Sequence, residues 1–303
     1  MIKIIKNKSD YIHDVVLDAS HIDKLQEVIL FGKKYFMYDD FWMHHVHLKV
    51  SDVCNAKCEF CIEKHSNIKE NKEHFIKNLK MLLEEMNNQK ILNTVSITGG
   101  EPGIYKNIQT IIELLQSYGA FININTNGRV VNYKNFSGWI NISKHNFDDS
   151  NIFKLRNLEE EDIKNIKVKN PESKIRFQCV LCKDGLTSVE QIKMFIKKYS
   201  TMVNDFSFRS LMKTNESDFS PLFFEFRDFL FDNAEFVEQV IQDYYVYETY
   251  KLFDKSVTIS YSNMKFLTEV EQTEPSNMLR EIIVHPDGWI TGDWSRKTKI
   301  ILK

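Results

Sequence analysis

The sequence has little of what would make it a scaffold, an anchor or a tail. Five cysteines in 303 residues are too few for a disulfide framework. Ten glycines and five prolines, with no Ser/Gly-rich tract, argue against a long linker or a disordered segment. No run of about 18 apolar residues occurs, so no transmembrane helix and no membrane partner are expected. The opening MIKIIKNKSDYIHDVV is basic but lacks a long apolar run and a small-residue cleavage site. No secretory leader is therefore expected, and a cytoplasmic setting is. An excess of one charge is also missing: 40 Lys and Arg face 42 Asp and Glu, which argues against a nucleic-acid partner.

What is present is a strand–helix alternation. His45 to Ser51 alternates as a strand does, and Phe75, Leu79, Leu82, Leu83 and Met86 recur at helical spacing. Thr94 to Thr98 is a short strand that runs into Gly99-Gly100-Glu101-Pro102. Further strands are predicted at 121–125, 139–143, 175–181 and 205–211, with helices near 106–118, 159–166 and 188–199. Six strands mostly separated by helices imply parallel pairing with right-handed crossovers, and six are too few for an eight-stranded barrel. The expected fold is α/β, a partial barrel or open sheet over 45–212, preceded by an extension at 1–44. Residues 219–253 are aromatic-rich and expected to be helical, and 256–303 carry strand and turn signals such as His285-Pro-Asp-Gly288. Residues 213–303 are thus expected to form an α+β appendage.

Cys54-Asn-Ala-Lys-Cys58-Glu-Phe-Cys61 follows the first core strand and puts three thiols in one tight loop. Iron–sulfur clusters take thiolate ligands, and four irons ask for four of them. Three local thiols would leave one iron open to a substrate or cofactor. A zinc knuckle with His65 as fourth ligand is the competing reading, but it leaves the glycine–glutamate segment unexplained.

The loop resembles the C-x3-C-x2-C motif of the radical S-adenosylmethionine (SAM) superfamily, and Gly99-Gly100-Glu101-Pro102 resembles its GGEP motif. Thr126-Asn127-Gly128 is similar to the third-strand segment of the branch that includes the molybdenum-cofactor GTP cyclase. The resemblance spans roughly residues 45–212 and implies a partial (β/α)6 barrel. It implies one [4Fe–4S] cluster on Cys54, Cys58 and Cys61, with Phe60 against the adenine of SAM. It further implies backbone contacts from Gly99 and Gly100 near the methionyl amine, pairing of Glu101 with that ammonium, and SAM-facing roles for Thr126, Asn127 and Ser143. The chemistry implied is reductive cleavage of SAM to a 5′-deoxyadenosyl radical that takes a hydrogen atom from a polar small molecule or a peptide. Epimerisation, dehydrogenation and rearrangement all stay open. An electron donor such as flavodoxin or ferredoxin is implied as a partner.

Other residues near the predicted barrel mouth carry two readings each. Cys179 and Cys182 are either small core residues or, with preference for Cys179, a thiol that donates hydrogen to a product radical. His145 is an acid or base near substrate, or an ordinary loop histidine. Gln178 is a candidate for the SAM ribose, and Arg209 for a substrate carboxylate or phosphate, or else a structural ion pair. His44, His45 and His47 read as structural or cluster-shielding, and Tyr244 to Tyr250 as a packed helix or a substrate wall. No cysteine follows Cys182, so the auxiliary-cluster extension of SPASM-type relatives is not expected, although His285-Pro-Asp-Gly288 resembles its opening strand-turn. A nucleotide-modifying enzyme, cyclase-like or viperin-like, is the runner-up, although the cyclase's second cysteine triad and Gly-Gly tail are missing. A non-enzymatic iron–sulfur or zinc scaffold is the third reading.

Overall fold

A computed structural model describes residues 2–13, 15, 25–38, 45–61, 68–182, 184–210, 221–242, 244–272, 274–294 and 296–303. His44, His65 and Leu211 lie outside the described residues. The six predicted core strands form within two residues of their expected limits: β4 (His45–Lys49), β5 (Thr94–Thr98), β6 (Phe121–Thr126), β7 (Gly138–Ser143), β8 (Lys174–Leu181) and β9 (Asp205–Ser210). They pair in parallel in chain order. The helices between them are α1 (Lys72–Asn88), α2 (Ile108–Ser117), the single turn α3 (Ser150–Phe153), α4 (Glu160–Lys169) and α5 (Val189–Tyr199).

Local chemistry explains the helix limits. Asn71 caps α1 by accepting from the His74 N–H at 3.1 Å, and Ser188 caps α5 by accepting from the Gln191 N–H at 3.2 Å. The apolar stripe Phe75, Leu79, Leu82, Leu83 and Met86 is buried along α1.

The strands have two unlike faces. Val95 and Ile97, Ile122 and Ile124, Ile140 and Ile142, Phe177 and Leu181, and Phe206 and Phe208 join the helices in one apolar core. The alternate residues form the other face: Ser96, Asn123, Asn125, Asn141, Arg176, Gln178, Ser207 and Arg209. That face is polar almost throughout. A sheet with both faces covered by its own chain would be apolar on both, so this face is the lining of a lumen.

The sheet continues beyond the six strands on both sides. At one edge β12 (Lys255–Ser262) pairs in parallel with β9, followed by antiparallel β11 (Tyr245–Leu252), β10 (Glu235–Gln242) and β1 (Ile2–Ile5). At the other, β13 (Ile282–Val284) pairs in parallel with β4, followed by β14 (Ile290–Thr291) and β15 (Ile300–Leu302). The α+β tail therefore extends the barrel sheet itself. Arg280, before β13, lies 5.9 Å from the ring centroid of Tyr244, which enters β11. Seven strands separate β11 from β13 in the sheet order, so this contact brings the two sides of the lumen together.

The expectation of helix across 219–253 is corrected. Only α6 (Pro221–Asn233) is helical there, and 235–242 and 245–252 form the hairpin β10–β11. Tyr245-Val-Tyr-Glu-Thr-Tyr-Lys-Leu252 buries Val246, Glu248, Tyr250 and Leu252 alternately, a period of two that suits aromatic and β-branched residues. The N-terminal segment also holds a hairpin, β2 (Leu25–Leu30) with β3 (Lys33–Tyr38). The remaining helix is α7 (Met264–Glu271). Among the described residues no helix is long and apolar enough to cross a membrane.

Candidate active site

The cysteine loop leaves the carboxyl end of β4 and is fastened directly to the end of β5. Gly100 N–H donates to the Ser51 carbonyl at 2.7 Å, and Glu101 N–H to the Val53 carbonyl at 2.9 Å. A Cβ on Gly100 would stand 1.9 Å from the Val53 carbonyl oxygen, so only glycine permits the approach. Gly99 combines a φ of +113° with a would-be Cβ 2.5 Å from the Ser51 carbonyl oxygen. The two motifs are thus one backbone assembly.

Glu101 closes it. Its carboxylate is 2% exposed and accepts from Gly103 N–H at 2.8 Å, Thr126 Oγ1–H at 2.6 Å and Asn127 N–H at 2.7 Å. Burial raises its pKa, while these three donors and the Arg129 charge oppose the rise. In this structure the carboxylate thus ties the glycine–glutamate segment to the Thr126-Asn127 turn. All three donors come from the protein, and the group is sealed from the lumen. Thr126 likewise acts through Glu101. Asn127 reaches the cysteine loop, its side-chain amide donating to Asn55 Oδ1 at 2.8 Å.

Cys54, Cys58 and Cys61 are each half-buried. Cys54 Sγ accepts from Ala56 N–H at 3.3 Å, and Lys57 N–H donates to the Phe153 carbonyl at 2.9 Å. Ala56, Ile152 and Phe153 form a small apolar floor against which Cys54, Cys58 and Phe60 pack. Burial, then the nearness of Cys61 and Cys54, pushes the Cys58 thiol up to about 12. Three thiolates in one loop repel one another, and cation binding relieves that repulsion. Among the described residues no three His, Cys, Asp or Glu side chains converge as ligands of a single ion would. A multi-iron cluster asks for something else, because each thiolate binds a different iron. The three thiols on one half-buried loop fit such a cluster better than a mononuclear zinc site.

His145 is 3% exposed, stacked on Phe153 with ring centroids 5.2 Å apart and meeting Phe60 edge-on at 5.2 Å. Its Nδ1 accepts from Val180 N–H at 3.0 Å. Burial, with the Lys144 and Arg129 charges, lowers its pKa to about 3. The neutral, buried imidazole does not exchange protons freely with solvent. It supports the Phe60 ring. Beside it lies a network that sequence reasoning missed: Arg129 donates to Asp149 Oδ1 at 2.6 Å, and the fully buried Lys144 sits 3.5 Å from Asp149 Oδ2. Arg129 also covers the Phe153 ring at 4.6 Å, so this network holds the floor of the cysteine loop. Of this region, the sequence points only to His145.

The register decides the other candidates. Cys179 pairs across with Phe208 and Val180 with Arg209, so Arg209 faces the lumen and Cys179 the helices. Cys179 is 1% exposed within the apolar core, and the preference for it as a lumen thiol is corrected by this alternation. Cys182 lies just beyond β8 and is half-buried. Ser143 and Gln178 are paired neighbours on the lumen face. His45 begins β4 and His47 is at its middle, both before the cysteine loop, and they contact Ser96 Oγ at 2.7 Å and Glu281 at 3.1 Å respectively. His285-Pro-Asp-Gly288 docks on α1, with the Asn78 side chain donating to the Gly288 carbonyl at 2.9 Å.

Residues 48–170 match the family model of the Radical SAM superfamily. That stretch is similar to radical SAM domains. Among solved structures, Streptococcus suis SuiB bound to S-adenosylmethionine is 14% identical, with a TM-score of 0.54 over 82% of this chain and 58% of that one. SuiB bound to the precursor peptide SuiA gives 15%, 0.57, 84% and 62% for the same quantities. The anSMEcpe structure with bound AdoMet and Cp18Cys peptide gives 14%, 0.52, 85% and 77%. At such identities the likeness is one of fold. The chain aligns with about three fifths of SuiB's length. No curated protein matches it. The matched span begins within β4 and takes in the cysteine loop, the glycine–glutamate segment and the Thr126-Asn127-Gly128 turn.

Proposed function

We propose that the chain is a radical SAM enzyme acting on a polar small molecule or a peptide. In this reading Cys54, Cys58 and Cys61 would hold one [4Fe–4S] cluster, with SAM bound beside it. With an electron from a small carrier protein such as flavodoxin or ferredoxin, that pair would supply reductive cleavage of SAM and so hydrogen-atom abstraction from a C–H bond.

The chain's own residues do the rest. The backbone at Gly99 and Gly100 meets the methionyl end of SAM, held in place by Glu101 from behind. Phe60, propped by His145, offers its ring to the adenine. Ser143 and Gln178 face the lumen where the ribose would lie. The polar lumen wall binds the substrate and keeps bulk water from the reacting atoms.

The observation that carries the reading is the hydrogen-bonded union of the three-thiol loop with the glycine–glutamate segment, Gly100 to Ser51 at 2.7 Å and Glu101 to Val53 at 2.9 Å. A zinc knuckle has no use for it. A peptide is the favoured substrate class, because SuiB and anSMEcpe, with related folds, have been solved with peptides. Epimerisation, dehydrogenation and rearrangement all fit this arrangement. Anaerobic reconstitution tests the proposal. About four irons per chain are expected, and almost none in Cys58→Ala. One zinc and no iron would overturn it.

A further inference from the structure

The lumen wall holds two arginines that the cofactor reading does not use. Arg176 on β8 and Arg209 on β9 both face inward. Among the described residues neither guanidinium has a hydrogen bond or ion pair, and the Arg176 Nε is buried with no acceptor. Arg176 stacks on Trp139 with 4.1 Å to the ring centroid. Arg209 is exposed, and its register row runs through Ser260 on β12 to Tyr247 on β11. Tyr245, two residues along β11, shares the same face and receives a hydrogen bond from the Tyr244 hydroxyl at 2.8 Å.

The carboxylate paired across from Arg176 is Asp205, whereas the register partners of Arg209 are Val180 and Ser260, neither of them charged. The exposed Arg209 guanidinium keeps its N–H donors available to an anion entering the lumen. A guanidinium offers two parallel N–H donors to a carboxylate, and hydroxyls beside it complete the anion's shell. The Arg209 charge reaches both Tyr245 and Tyr247, whose ionisation it eases against the effect of burial. Arg209 lies near the carboxyl end of its strand, the same end of the parallel sheet from which the cysteine loop leaves β4.

We propose that Arg209, with Ser260, Tyr247 and Tyr245, recognises a carboxylate carried by the substrate, such as an acidic side chain or a free carboxyl terminus. The identity of the occupant as substrate rests on the radical SAM reading, and the anion site rests on the lumen itself. SAM also bears a carboxylate, so the test must separate the two sources. Reconstituted protein, with and without saturating SAM, is titrated calorimetrically with N-acetylglutamate and with N-acetylglutamine amide. The acid should bind at least tenfold more tightly than the amide in both conditions. Arg209→Gln should erase that preference, and Arg209→Lys should keep part of it. Equal binding of acid and amide to the unaltered protein would overturn the proposal. So would an acid preference that survives Arg209→Gln. Loss of acid binding whenever SAM is present, joined to a tenfold weaker SAM affinity in Arg209→Gln, would assign the site to the SAM carboxylate and also overturn it. Cleavage of SAM reports on the cluster reading and the acid preference on this one, so either can fail alone.

Discussion

Replacing Glu101 with alanine tests whether the glycine–glutamate segment is a clasp or a ligand. The carboxylate accepts from Gly103, Thr126 and Asn127 at 2.6–2.8 Å. Hydrogen bonds to a charged group contribute about 1.5–3 kcal/mol each, and a buried donor left without a partner costs about 1–3 kcal/mol. The Thr126 hydroxyl can turn to another acceptor, whereas the Gly103 and Asn127 amides cannot. Relief from burying a charge offsets part of the loss. A net cost of about 3–4 kcal/mol follows, and for a domain of this size a shift of roughly 2 °C per kcal/mol places the melting point about 6–8 °C lower. The assay is thermal unfolding of the apoprotein without SAM or iron. Glu101→Gln should fall between the two, because its shape is kept while its amide nitrogen faces a donor. An unchanged melting point in Glu101→Ala, with weakened SAM binding, would refute the reasoning and return Glu101 to the ligand.

Three further outcomes are expected. Gly100→Ala should keep its helical and strand content by circular dichroism yet lose most reconstituted iron, because its Cβ would sit 1.9 Å from the Val53 carbonyl oxygen; normal iron content would contradict the coupling of the two motifs. His45, His145 and His285 have pKa values lowered by burial to about 3, 3 and 4. They stay neutral when folded and take up protons only when unfolded, so stability is held above pH 6.5 and lost as pH falls toward 4. Denaturant titrations should show each costing about 1 kcal/mol between pH 7 and pH 5.5, and a flat profile would mean these histidines are solvated. Cys179→Ala should destabilise the core but leave product chemistry intact, while Cys182→Ala, run in deuterated water, should lose product with continued SAM cleavage if a thiol quenches the product radical. Full activity in both variants would favour dehydrogenation or rearrangement.

Local patterns made the parallel strands legible. Thr94-Val-Ser-Ile-Thr98 and Phe121-Ile-Asn-Ile-Asn125 alternate because one face meets the helices and the other the lumen. The aromatic stretch at 235–252 misled because large residues suit both a packed helix and a strand. The period of two in Val246, Glu248 and Tyr250 was the available signal. The cysteine spacing and the glycine pair were readable from sequence, since each is a local constraint. The role of Glu101 was not, because two of its donors, Thr126 and Asn127, lie 25 and 26 residues away. The burial of His145 and the Arg129–Asp149–Lys144 network also depend on loops meeting across the fold. The choice between Cys179 and Cys182 turned on a register that one residue would have reversed.

The most direct test of the central claim is anaerobic incubation of the reconstituted protein with SAM and dithionite, followed by quantification of 5′-deoxyadenosine. The unaltered protein should form it together with methionine, even without substrate, and Cys54→Ala, Cys58→Ala and Cys61→Ala should each form none. No 5′-deoxyadenosine from an iron-loaded protein, or equal amounts from the cysteine variants, would contradict the account.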